Sequence, residues 1–373
     1  MASAALRLGS ACYLRDSVAF NPSKVLVRAP NWLGDAVISL PALRAVRQRF
    51  PAAQIPVVAR PWVADLYARE ESVDRVIVYP AQSGWRAKRD FAAKLRSESF
   101  DCAILLQNAF DAALLAWLAR IPERIGYKRD ARGVLLTRAV PVPEPGEIPR
   151  HQRFYYLELL RRAGLLERFP QTSPVLLSRV EAAREAGLRR LPVLAGGSSV
   201  IGVSPGAAYG SAKRWPPERF GEAAALTARA TGAAVLVFGS SSERPLCEMV
   251  AASARALGVT ARNLAGETSL GEFIDLAAAC RLFLTNDSGA MHIASALAVP
   301  TVAVFGATDD SATGPAGPFS RVIRAHAECS PCLLRECPID HRCMTRVTAD
   351  RVAAEAVQLW EASATAWTHE ARS

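Results

Sequence analysis

The chain has 373 residues, half of them apolar, and a formal charge of +10. That length suits two domains of ordinary size, each with its own core, and no apolar run is long enough to span a bilayer as a helix. The excess charge is confined to one half: residues 1–175 hold 26 Lys and Arg against 16 Asp and Glu, whereas residues 176–373 hold 19 of each.

In chain order, residues 1–23 carry Arg7, Arg15 and Asp16 without a compact hydrophobic stretch before a cleavage site. They predict a loose extension rather than a secretory signal, and a cytoplasmic protein. Lys24–Ala29 reads as a strand, Pro30-Asn-Trp-Leu-Gly34 as a loop, and Asp35 to about Phe50 as a helix. Further strands are predicted at Gln54–Ala59, Asp74–Tyr79 and Asp101–Gln107, with helices at Trp85–Ser97 and Phe110–Ala119. Alternation of this kind implies a parallel sheet covered on both faces. It stops at the Pro- and Gly-rich stretch 140–149, and a charged helix follows.

The link between the halves is expected at 176–198, ending in Ala195-Gly-Gly-Ser-Ser199. The alternation then restarts. Strands are predicted at Val200–Ser204, Ala233–Phe238, near Asn263, at Leu282–Thr285 and at Thr301–Phe305. The intervening helices are Pro216–Thr231, Glu243–Leu257, Leu270–Cys280 and Ser288–Leu297, and a last helix begins at Val347. The fold class is therefore α/β, with two Rossmann-like doubly wound domains facing a central cleft. The expected boundaries are 1–23 for the extension, 24–175 and 199–346 for the two domains, and 347–373 for the terminal helix.

Three strand-to-helix loops of the second half have the composition of phosphate sites. In Ser204-Pro-Gly-Ala-Ala-Tyr-Gly-Ser-Ala-Lys-Arg-Trp-Pro216, Gly206 and Ala207 let backbone amides approach an anion, and Lys213 adds a full charge. In Phe238-Gly-Ser-Ser-Ser-Glu243, the carboxylate either complements a helix start or accepts from ribose hydroxyls. In Thr285-Asn-Asp-Ser-Gly-Ala-Met-His292, a polar turn opens a helix whose first amides can meet a pyrophosphate. Neither the dinucleotide fingerprint nor a Walker lysine loop is present, which argues against a dehydrogenase and a P-loop kinase.

Taken together, Pro30-Asn-Trp-Leu-Gly-Asp-Ala, Pro205 to Pro216, Leu264-Ala-Gly-Glu-Thr and Thr285 to His292 resemble the ADP-heptose:lipopolysaccharide heptosyltransferases, glycosyltransferase family 9. The lysine loop and the Asn-Asp-Ser-Gly turn are most similar to the heptosyltransferase II group. The resemblance covers about residues 24–365 and implies the two-domain GT-B architecture. It also implies inverting transfer of L-glycero-D-manno-heptose from ADP-heptose to a heptosyl-Kdo-lipid A core, without a catalytic cofactor. Asp35 matches the family's general base; on residues alone it reads first as the N-cap of the following helix. Lys213 matches the phosphate-contacting lysine. The resemblance further assigns Gly206, Ala207, Tyr209, Glu243, Asp287, Ser288, Gly289 and His292 to the donor, and Asn31, Trp32 and Gly34 to the acceptor side.

Under that resemblance the basic half has a use. Arg86, Lys88, Arg89, Lys94 and Arg96, with Arg120, Arg124, Lys128, Arg129 and Arg132, predict a positive field. It would face a phosphorylated lipid A-core acceptor and the anionic inner face of the cytoplasmic membrane. Nucleic acid is not an expected partner, because aromatic residues are sparse among the basic ones. Cys329-x2-Cys332-x4-Cys337-x5-Cys343 offers enough thiolates for a structural zinc, with His341 as an alternative ligand; reduced thiols in a surface loop are the other reading.

Overall fold

The computed structural model describes residues 20–80, 84–169 and 174–363. Residues 1–19 of the expected extension and 364–373 of the expected terminal helix lie outside them. Twelve strands form two sheets of six. The first contains β1 (Val25–Arg28), β2 (Pro56–Ala59), β3 (Arg75–Val78), β4 (Cys102–Leu105), β5 (Glu123–Tyr127) and β6 (Arg138–Val140). The second contains β7 (Val200–Ser204), β8 (Ala234–Val237), β9 (Ala261–Asn263), β10 (Leu282–Asn286), β11 (Thr301–Phe305) and β12 (Ser320–Arg324).

The strand orders are β3-β2-β1-β4-β5-β6 and β12-β11-β10-β7-β8-β9, the same winding in both halves, with every pair parallel. Each chain direction reverses its course beside the first strand, between β1 and β4 and between β7 and β10. Loops at these switch points open a crevice at the strand carboxyl ends. Central strands are largely apolar because helices cover both faces: β1, β4, β7 and β10 are buried along their whole length, with polar residues only at their carboxyl ends.

Three strands were not foreseen. β5, β6 and β12 read ERIGY, RAV and SRVIR; they lie at or beside sheet edges, where partial exposure tolerates charge. The expected helix from Asp35 to Phe50 begins earlier and is two helices, Leu33–Ile38 and Leu40–Arg49, separated at Ser39. Pro41 is the cause: it has no N–H to continue the ladder, and its ring would meet the carbonyl four residues back. Residues 176–198 contain a sixteen-residue helix, Val180–Ala195, packed on the helix Leu270–Ala278.

The halves touch directly. Asp65 accepts from the amide of Gly271 at 3.0 Å, and Arg69 pairs with Asp275 at 2.6 Å. The helix Leu33–Ile38 also packs across the divide on the helix Gly289–Ala296. Both sides of that crossing have glycine. A Cβ on Gly34 would lie 2.8 Å from the His292 ring, and one on Gly289 would lie 2.8 Å from Leu33.

Candidate active site

The loop after β1 builds one wall of the cleft. Asp35 sits in the first turn of the helix Leu33–Ile38, after an extended Trp32, and makes no capping bond. Its N-cap alternative is therefore not what the geometry displays. Instead its Oδ1 accepts from the hydroxyl of Tyr156 at 3.3 Å. Burial raises the Asp35 pKa; the Tyr156 bond and the charge of Lys213 oppose the rise without cancelling it. Asn31 spends its polar groups inside the loop, with its amide on Gln107 and its side-chain oxygen accepting from Arg28 at 2.7 Å. It is not among the cleft-lining residues, unlike Trp32 and Gly34.

Opposite stands the lysine loop. Lys213 Nζ donates to Asp287 Oδ2 at 2.6 Å and lies 4.8 Å from the centroid of the Tyr209 ring. Asp287 is nearly buried and also accepts from Thr308 Oγ1 at 2.5 Å. The pair leaves one lysine whose head is anchored at the cleft wall and whose charge is locally balanced. His292 is buried; desolvation lowers its pKa to about 4, so the imidazole is neutral near pH 7. Trp32, Gly34, Asp35, Trp62, Tyr209, Lys213, Asp287 and His292 line one cleft of about 450 Å³.

A second cavity of about 310 Å³ adjoins it, sharing Leu33, Ala208, Ser288 and Gly289. Its walls include Gly206, Ala207, Gly239 and Ser240, with Glu243 and Phe273 among the larger side chains. Glu243 closes a capping box with Ser240, its Oε2 accepting from the Ser240 amide at 2.9 Å and hydroxyl at 2.8 Å. Its Oε1 fills the space a side chain on Gly206 would need, 2.0 Å from a Cβ built there. Helix-start role and cavity-lining role thus coexist in one carboxylate. At the junction of the two cavities the helix Gly289–Ala296 begins, and its first-turn amides have no intrahelical acceptor. Ser288 caps that helix by accepting from the Met291 amide.

Several contributors escape a motif search. Tyr156 lies on the helix Arg153–Arg162, 121 residues from Asp35, in an aromatic run that reads as core. Trp62 donates its indole N–H to Asn31 O at 2.7 Å and pins the loop. Thr308 follows β11 in an unremarkable turn. Only the tendency of buried hydroxyls to find partners hints at such residues.

The basic half is less free than its composition suggests. Arg132 is fully buried, bonded to the carbonyls of Tyr127 and Gln107 and to Asn108. Lys88 pairs with Asp111, and Arg129 with Asp130. Open to solvent is a groove of about 600 Å³ lined by Arg89, Arg96 and Arg120 beside half-exposed Trp117, with Arg124 at its edge held to the carbonyls of Leu135, Ile121 and Pro122. Among the described residues no helix is long and apolar enough to cross a membrane.

Cys343 is buried and Cys329 exposed, with Cys332 and Cys337 between. Burial raises the Cys343 pKa, and the three other thiols add to the rise. They are neighbours, but among the described residues no three Cys, His, Asp or Glu side chains are arranged to hold a metal.

Residues 88–342 match the profile of glycosyltransferase family 9 (heptosyltransferase). The chain is 34% identical over 312 residues to lipopolysaccharide heptosyltransferase 2 of Salmonella typhimurium, covering 81% of this chain and 88% of the relative. The solved E. coli ADP-heptose lps heptosyltransferase II superposes with a TM-score of 0.78 at 31% identity, covering 91% of this chain and 99% of that one. An E. coli heptosyltransferase solved with ADP shares the fold, with a TM-score of 0.69, 20% identity and coverage of 90% and 99%. Two parallel six-stranded sheets, a cleft at their switch points and these likenesses agree: the chain is a glycosyltransferase and belongs to family 9, the heptosyltransferases.

Proposed function

We propose that the chain transfers an L-glycero-D-manno-heptosyl group from ADP-heptose to the heptosyl-Kdo-lipid A inner core of lipopolysaccharide. The supporting observation is that Asp35 and Lys213 line the same cleft, one on each half, with the Asp35 carboxyl raised in pKa and so a better proton acceptor. In this reading residues 24–175 receive the acceptor and residues 199–346 hold the donor. The adenosine occupies the smaller cavity, with Glu243 accepting from ribose hydroxyls. The diphosphate meets Lys213 and the first amides of the helix Gly289–Ala296.

Asp35 takes the proton of the acceptor hydroxyl as that oxygen attacks the anomeric carbon. The bond to the diphosphate oxygen breaks in the same displacement, which inverts the centre. Negative charge grows on the leaving ADP, and Lys213 with the helix amides stabilises it. Neutral His292 orients by hydrogen bonding and moves no proton. No catalytic cofactor enters this scheme. The spacing of the four cysteines alone supports a structural zinc, and metal analysis of protein purified without a histidine tag tests it.

The arginine groove supports a peripheral position on the anionic inner face of the cytoplasmic membrane. Vesicles containing anionic lipid should retain the protein at low salt and release it at high salt. The substrate assignment is tested by offering ADP-heptose, and separately other nucleotide sugars, with a heptose-deficient core. Release of ADP and extension of the core are expected with ADP-heptose; turnover only with another donor overturns the assignment.

A further inference from the structure

The cysteine-rich segment, residues 329–343, takes no part in the proposed chemistry, yet it is bonded repeatedly to the loop that carries Lys213. The Tyr209 hydroxyl donates to Leu333 O at 2.8 Å, and the Ala212 amide donates to Arg335 O at 2.9 Å. His341 Nε2 lies 2.9 Å from Ala212 O. A carbonyl only accepts, so the imidazole carries its hydrogen on Nε2. The Arg335 guanidinium lies over the Tyr209 ring, 5.4 Å from the centroid that Lys213 Nζ approaches to 4.8 Å. Gly210 admits this contact: a Cβ there would be 2.2 Å from Arg335 O.

The segment is itself tied to the end of β11. Leu333 N donates to Ala307 O at 2.8 Å, and Ser330 Oγ to Gly306 O at 2.6 Å. The lysine loop, by contrast, has little regular structure of its own. Its one element is the 3₁₀ turn Ser211–Lys213, too short to be stable alone. A long flexible side chain on such a loop gains a fixed position only from outside.

We propose that the cysteine-rich segment is a positioning strap for Lys213. Leu333 and Arg335 fix the loop through their backbone carbonyls, and His341 fixes it through its side chain, so that the ammonium meets the leaving diphosphate. His341 and Arg335 are positioning residues and touch no substrate. The inference rests on the role proposed for Lys213, and the test separates the two.

His341→Ala and His341→Gln should be compared by steady-state kinetics and by hydrogen exchange of the Ala212 amide. Both variants place an unbranched residue at the same left-handed backbone position, φ 57, so their difference isolates the side-chain bond. His341→Ala should speed exchange at Ala212 and lower kcat about tenfold, with the donor KM changed less than about twofold, as expected for loss of a transition-state contact. The glutamine amide can donate to Ala212 O and should restore both. Unchanged exchange in folded His341→Ala overturns the strap, as does full kcat in that variant when Lys213→Ala is impaired. If Lys213→Ala is itself fully active, the lysine's role falls and the exchange result alone decides the strap. Should His341→Ala not fold, Gly210→Ala, whose methyl would displace the Arg335 carbonyl that accepts from the Ala212 amide, is read by the same two measurements.

Discussion

The two halves wind six parallel strands in the same order but make their walls from opposite materials. The second half lines the smaller cavity largely with glycine, alanine and serine, so backbone and short side chains face the occupant. The first half contributes Leu33 alone to that cavity, yet it supplies Trp32, Asp35 and Trp62 to the larger cleft. Charge divides the same way, with the excess in the first half and balance in the second. Under the proposed function, one topology supports two styles of recognition. A polyanion of fixed shape is met by oriented amides, whereas a reacting hydroxyl needs a side chain with a tuned pKa.

Substitutions can break this division. The largest effect is expected at Asp35: Asp35→Ala should lower kcat by about 10²–10⁴ while calorimetry shows ADP binding unchanged. A matching loss of ADP affinity would mean that the first half also grips the nucleotide. Lys213→Ala should lower kcat by about 10²–10³. It also strips nearly buried Asp287 of its cation, so the melting temperature should fall as well. Gly206→Ala drives a methyl into the Glu243 carboxylate. It should raise the donor KM several-fold and cost about 1 kcal/mol through the broken capping box; an unchanged KM would remove Glu243 from the donor site.

The smallest effect sharpens the contrast rather than breaking it. The Tyr156 hydroxyl bonds to the Asp35 carboxylate and favours its charged form. Tyr156→Phe should therefore raise the Asp35 pKa, so the acid limb of the kcat/KM profile moves to higher pH. A shift to lower pH, or none, would show that the limb belongs to another group. His292, already neutral above about pH 4, should leave the profile near neutrality untouched.

The central strands were legible because burial on both faces forces continuous apolar runs, as at Val200–Ser204 and Thr301–Phe305. The edge strands Arg138–Val140 and Ser320–Arg324 obey no such demand and were not seen, whereas the edge strand Arg75–Val78 keeps the run Val-Ile-Val and was. At the site the loops announce themselves by glycine and polar clusters, so Gly206, Lys213 and the Asp287 turn could be found from the chain alone. The residues that tune them could not. Tyr156 and Thr308 act through one hydroxyl each, from elements whose patterns speak only of packing. Nor does charge content reveal pairing: Arg132 counts toward a positive surface yet is wholly interior.

The glycines at the crossing of the helices Leu33–Ile38 and Gly289–Ala296 carry a consequence for reaction geometry. One helix bears the proposed base and the other aims its amides at the proposed leaving group. In-line displacement needs attacking and departing oxygens held on a line with tolerances well under an ångström. Under the proposed mechanism that spacing is set where the glycine backbone of one helix rests on a side chain of the other, Gly34 against the His292 ring and Gly289 against Leu33. On that mechanism the alignment is machined into the joint between the halves, and a single methyl at either glycine would act as a shim.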